Sequence, residues 1–185
     1  MVIKEKLILG IDPGTSVMGY GLISCQKQKI NLIQFGVIHL SKYPNHEIKL
    51  KKIYDRVSEL TSEYLPDEVA LEAPFYGENI QSMLKLGRAQ GVAMAAALNK
   101  EIPINEYAPR RIKQAVTGNG NASKEQVASM IQTLLKLDGS PKLLDATDAL
   151  AVAICHHFSS GVGVNSSKGK NSWKAFISEN PKRVK

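Results

Sequence analysis

The chain is organised around the stretch Leu7-Ile8-Leu9-Gly10-Ile11-Asp12-Pro13-Gly14-Thr15-Ser16. Its first half is an apolar run with the length of a buried strand and too short for a helix. The run stops on an aspartate followed at once by Pro-Gly, a turn signal. Apolar residues resume at Val17 and continue to Ile23, so the chain turns back into a second strand. A carboxylate at the end of a buried strand costs free energy unless donors or a cation meet it. Asp12 therefore either caps the turn or belongs to a larger polar site. The deciding question is whether other acids converge on it.

Two further segments supply candidates. Val69-Ala70-Leu71-Glu72 repeats the pattern of an apolar strand, a terminal acid and then a proline turn at Ala73-Pro74. Alone, such a glutamate is more often a solvated strand end than a functional group. In Leu144-Asp145-Ala146-Thr147-Asp148-Ala149-Leu150 the two aspartates stand three apart, on one helical face. Acids in a first helical turn also cap free N–H groups and suit the helix dipole. The helix beyond them is almost entirely small and apolar, which calls for close burial against a sheet. Were it packed beside Asp12 and Glu72, up to four negative charges would gather, untenable without cations.

Oxygen-only ligands of this kind suit Mg²⁺ or Mn²⁺ rather than zinc. Two such ions roughly 3.5–4 Å apart form the centre that hydrolyses phosphodiesters. No His/Cys set has zinc spacing, and no Ser-His-Asp arrangement competes.

In order, strand patterns fall at Leu7–Asp12, Val17–Ser24, Ile30–Leu40, Glu68–Glu72 and Ile102–Tyr107. The first three are closely linked, as in an antiparallel meander; thereafter helices and strands alternate, which predicts a mixed α/β sheet with helices on both faces. Ile53, Val57, Leu60 and Tyr64 mark a helix ended by Pro66. A second runs from about Asn79 to Asn99, with Ile80, Leu84, Gly87, Gly91, Met94 and Leu98 in a stripe. Its row of small residues, Gly87, Gly91 and Ala95, is expected to pack on the chain's own sheet; contact with a second copy is the alternative. Pro109–Val116 and Ser123–Leu135 are shorter helices around a Gly118–Asn121 loop, and a last helix spans Leu144 to Phe158.

Charge divides the chain. The formal net charge is +7, yet from Ser159 onward six basic residues face one acid, Glu179, so residues 1–158 carry only +2. The expected organisation is one domain over 1–158 and a flexible basic tail over 159–185, suited to a polyanionic partner. With no run of 18 apolar residues, no signal-peptide pattern, and Cys25 and Cys155 in apolar settings, an intracellular, soluble protein with reduced cysteines is expected.

At "GIDPGTSVMGYG", "LEAPF", "LKLGRAQGVAMAA", "EYAPRRIKQAVTGNGNASKEQV" and "DATDALAVAICH" the sequence resembles the RuvC-type Holliday-junction resolvases, crossover-junction endodeoxyribonucleases of the ribonuclease-H-like superfamily. The resemblance runs from about Leu7 to Phe158. It implies a ribonuclease-H-like five-stranded mixed sheet, with Asp12, Glu72, Asp145 and Asp148 as catalytic metal ligands for two Mg²⁺ per site, Mn²⁺ able to substitute. It places a junction-wedging aromatic at Phe75 and two DNA-contacting basic residues at Lys113 and Lys124. It further implies a cytoplasmic homodimer that cuts four-way junction DNA symmetrically during recombination and repair. The products would carry 5′-phosphate and 3′-hydroxyl ends, and the RuvA–RuvB branch-migration complex would be its partner.

Other readings fit less of the chain. Actin-like ATPases and sugar kinases also open on a strand ending in Asp-x-Gly-Thr, but they need a second lobe and a second motif absent here. A non-catalytic junction-binding module gains nothing from concentrating acids near phosphate. Ribosomal-RNA-processing nucleases of the same superfamily are usually shorter and are not expected to share the "LEAPF" and "DATDALA" contexts.

Overall fold

A computed structural model describes residues 5–74, 79–137 and 144–161. Five strands, β1 (Lys6–Asp12), β2 (Val17–Gln26), β3 (Lys29–His39), β4 (Glu68–Glu72) and β5 (Ile104–Tyr107), form one sheet in the order β3-β2-β1-β4-β5. The first three pair antiparallel; β4 and β5 add in parallel. The helices are α1 (His46–Tyr64), α2 (Ile80–Leu98), α3 (Pro109–Thr117), α4 (Lys124–Leu135) and α5 (Leu144–Gly161). The expected mixed α/β sheet is therefore present, with α1 and α2 on one face and α3, α4 and α5 on the other.

Strand alternation decides which residues meet which layer. On β1, Leu9 and Ile11 enter the core under α1 and α2, whereas Ile8 enters the core under α5. Position 12 shares the parity of 8 and 10 and so lies on the α5 side. On β4, Val69 and Leu71 join the first core and Ala70 the second, which puts Glu68 and Glu72 on the α5 face as well. Because Ile11 pairs with Leu71 in a parallel register, Asp12 and Glu72 leave the sheet side by side. The two strand-end acids are neighbours through register alone.

Helix boundaries follow local chemistry. The Asn79 side chain accepts from the Ser82 amide and caps α2, and Ser123 and Gln126 form a reciprocal capping box on α4. Pro109 opens α3, and Gly118, at φ 77°, closes it in the left-handed region. The last helix continues three residues beyond the expected Phe158, to Gly161, with Ser159 accepting a hydrogen bond from Arg111 at 3.4 Å. β5 starts at Ile104 rather than Ile102, because Pro103 has no N–H for the ladder and offers only its carbonyl to Val69.

One packing expectation is corrected. The inner side of α2 is Ala89, Gln90, Ala93, Ala96 and Ala97. Ile80, Leu84 and Leu98 are exposed, and a Cβ at Gly87 or Gly91 would touch nothing within 4 Å. The small-residue row thus faces away from the chain's own sheet. Cys25 and Cys155 are both buried free thiols. No helix among the described residues is long and apolar enough to cross a membrane.

Candidate active site

The site is made where α5 crosses the carboxyl ends of β1 and β4. Ala149 and Ala153 let the helix backbone approach β1 closely: a Cβ on Gly10 would come within 2.2 Å of the Ala149 carbonyl oxygen. At that spacing Asp145 and Asp148, one helical face of the first turn, are brought onto Asp12. One carboxylate oxygen from each of Asp12, Asp145 and Asp148 lies within 4.8 Å of the others. Glu72 joins Asp12, Lys113, Lys124 and Asp148 in lining a cleft of about 250 Å³. All four sequence-derived acids and both lysines therefore gather at one place. Phe75 lies outside the described residues.

Crowding and burial leave clear electrostatic marks. Burial, then the charges of Glu72 and Asp148, push the Asp12 carboxyl up to about 8, with Lys124 opposing. Burial and the Asp148 charge raise Glu72 to about 7, against the pull of Lys124 and Lys113. The Lys124 ammonium donates a 2.8 Å hydrogen bond to Asp148 Oδ2. That bond, with the charges of Asp12 and Asp145, holds Lys124 above the ordinary lysine value despite partial burial. A half-buried acid that keeps its proton at neutral pH is under-compensated by the protein.

The donor set tests what would fit. It offers carboxylate oxygens without imidazole or thiolate, on rigid strand and helix ends, in a cleft open to solvent. Such a set matches hard divalent cations, Mg²⁺ or Mn²⁺, and not zinc. A cation bound there would have to displace the Asp12 proton, so its affinity would rise with pH through the neutral range.

A polar chain behind the site was not visible in the sequence. His156, buried on α5, bonds through Nδ1 to the Tyr107 hydroxyl at 2.7 Å and through Nε2 to Glu68, which also pairs with Lys6 at 2.7 Å. Burial holds His156 below the usual imidazole value, with Glu68 opposing. The chain ties α5 to β4 and β5 two turns past the acids. Its only signal was Glu68, an acid of the same strand parity as Glu72.

A three-strand meander extended by two parallel strands, with acids on β1, β4 and the covering α5, defines a ribonuclease-H-like α/β protein with a carboxylate centre. The profile of the family described as crossover junction endodeoxyribonuclease RuvC matches residues 8–156. The crossover junction endodeoxyribonuclease RuvC of Cytophaga hutchinsonii is 62% identical over 98% of this chain and 89% of its own length. That of Porphyromonas gingivalis is 55% identical, over 98% of each. The T. thermophilus RuvC solved in complex with a Holliday junction substrate superposes with a TM-score of 0.80 at 32% identity, covering 85% of this chain and 96% of that one. A yeast mitochondrial Holliday junction resolvase shares the fold at 15% identity and a TM-score of 0.56. The chain belongs to the RuvC family of crossover junction endodeoxyribonucleases.

Proposed function

We propose that this chain resolves four-way DNA junctions by metal-dependent hydrolysis of phosphodiesters, with Asp12, Glu72, Asp145 and Asp148 as the metal-binding catalytic acids. The observation that carries this reading is the convergence of acids from β1, β4 and α5 on a cleft edged by two lysines. A pair of Mg²⁺ ions, replaceable by Mn²⁺, would supply an activated water and charge stabilisation at the leaving oxygen. The protein's part is placement. Strand ends fix Asp12 and Glu72, the first turn of α5 fixes Asp145 and Asp148, and Lys113 and Lys124 hold the phosphate against an otherwise repulsive centre.

The homodimer belongs to the same proposal. A twofold junction calls for an isologous pair of sites that cut strands of like polarity. The exposed Leu84, Gly87, Gly91 and Leu98 stripe of α2 is a surface suited to it. Phe75, three residues beyond Glu72, is the proposed wedge that opens the stacked crossover. The basic residues after Ser159 would add sequence-independent phosphate affinity without selecting the junction. Action in the cytoplasm beside a RuvA–RuvB branch-migration complex completes the reading, on family membership alone.

A synthetic four-way junction incubated with the protein and Mg²⁺ tests the proposal. Paired, symmetric nicks in two strands of like polarity, with 5′-phosphate and 3′-hydroxyl ends, are expected. No cutting, or equal cutting of plain duplex, would contradict it.

A further inference from the structure

Lys124 opens α4 directly after the Ser123 capping box, so the base of its side chain is fixed. Its ammonium nevertheless reaches across the cleft to Asp148 Oδ2, at 2.8 Å. Asp148 belongs to the three-carboxylate cluster whose oxygens lie within 4.8 Å of each other. The ammonium therefore uses a carboxylate oxygen that a divalent ion in this cluster would compete for. The lysine side chain is 60% exposed and Asp148 only 15%, so Lys124 comes in from solvent and can withdraw without repacking the fold.

We propose that Lys124 is an internal counter-cation that competes with divalent ions for the acidic cluster, and that ion binding releases its ammonium for phosphate. This rests on the reading of the acids as a metal site and adds a control on its loading. Without an ion, Lys124 offsets part of the repulsion among Asp12, Asp145 and Asp148. With an ion bound, the ammonium and the dication are like charges a few ångströms apart, and the lysine is driven outward. One side chain thus favours the ion-free cluster before loading and is available to DNA after it.

The sign of one measurement separates this from a supporting role. A lysine that merely shapes the site would, when removed, weaken ion binding; a competitor would, when removed, strengthen it. MnCl₂ is titrated calorimetrically into the full-length, DNA-free protein. Lys124→Met keeps the aliphatic stem and loses the charge, and is expected to bind Mn²⁺ about two- to fivefold more tightly, the size of a partly exposed ion pair. Lys124→Arg retains the charge and should stay at the wild-type affinity, while Asp148→Asn should bind more weakly. Equal or weaker binding by Lys124→Met overturns the inference, as does an equally large gain in Lys124→Arg. Absence of Mn²⁺ binding by the wild-type protein overturns the metal-site reading and this inference with it.

Discussion

Gly19 of β2 packs directly on the peptide carbonyl of Asp145: a Cβ at position 19 would come within 2.0 Å of that oxygen. Gly10, the same parity on the adjoining strand, meets Ala149 and Ala153 in the same way. These two glycines set how near α5 approaches the sheet, and so how near Asp145 and Asp148 come to Asp12.

Gly19→Ala should accordingly lift the first turn of α5. A loss of about 1–3 kcal/mol of stability is expected from overpacking, together with a disproportionate loss of Mn²⁺ affinity. Thermal melts and calorimetry at a temperature where the variant is folded would separate the two. A folded Gly19→Ala protein with wild-type Mn²⁺ affinity would show that the acids do not depend on this contact.

Much of this architecture was legible because strand ends and turns carry strong local signals. "GIDPG" and "LEAP" each place an acid after an apolar run, and β1 and β4 end on those acids. What the residues alone left open was whether the acids meet, since that depends on register and on the glycines beneath α5. The facing of α2 was misread for a physical reason. Its inner side is alanine, which gives a weak apolar signal, while the large Ile80, Leu84 and Leu98 point outward. The start of α1 at His46 was also hidden, because its first turns are largely polar and none of their residues is fully buried. His156 could not be assigned a partner from an apolar helix context alone.

The ion-free protein should lose stability as pH rises. Asp12 keeps its proton to about pH 8 when folded, against the ordinary 3.8. Between those values the unfolded chain binds fewer protons than the folded one, so stability falls with rising pH across that window. Asp12→Asn removes the penalty. In EDTA at pH 8 its melting temperature should exceed that of wild type, by about 2–4 °C for each kcal/mol relieved, and the advantage should vanish near pH 4. A lower melting temperature than wild type at pH 8 would contradict the burial and repulsion assigned to Asp12.

The outer stripe of α2 gives the proposed dimer a direct test. Leu84→Glu with Leu98→Glu changes two exposed side chains and should leave the monomer fold intact. Sedimentation should show wild type at twice the 20.2 kDa chain mass and the double variant as monomer. A double variant that stays dimeric would place the interface elsewhere.

Phe75→Ala tests the wedge. Opening a stacked step costs a few kcal/mol, and aromatic stacking on a freed base returns about 1–3 kcal/mol. The variant should cut an intact junction slowly and recover much of its rate on a junction with unpaired bases at its centre. Equal slowing on both substrates would make Phe75 a structural residue.

Whether the four acids act as one metal centre is measured most directly by single-turnover cutting of a four-way junction in Mg²⁺. Asp12→Asn, Glu72→Gln, Asp145→Asn and Asp148→Asn should each reduce the cutting rate at least about a hundredfold. Junction binding in EDTA should be equal or tighter, since each variant removes a negative charge near phosphate. Any one of the four that cuts within a few-fold of wild type would contradict the assignment of that residue as a metal ligand.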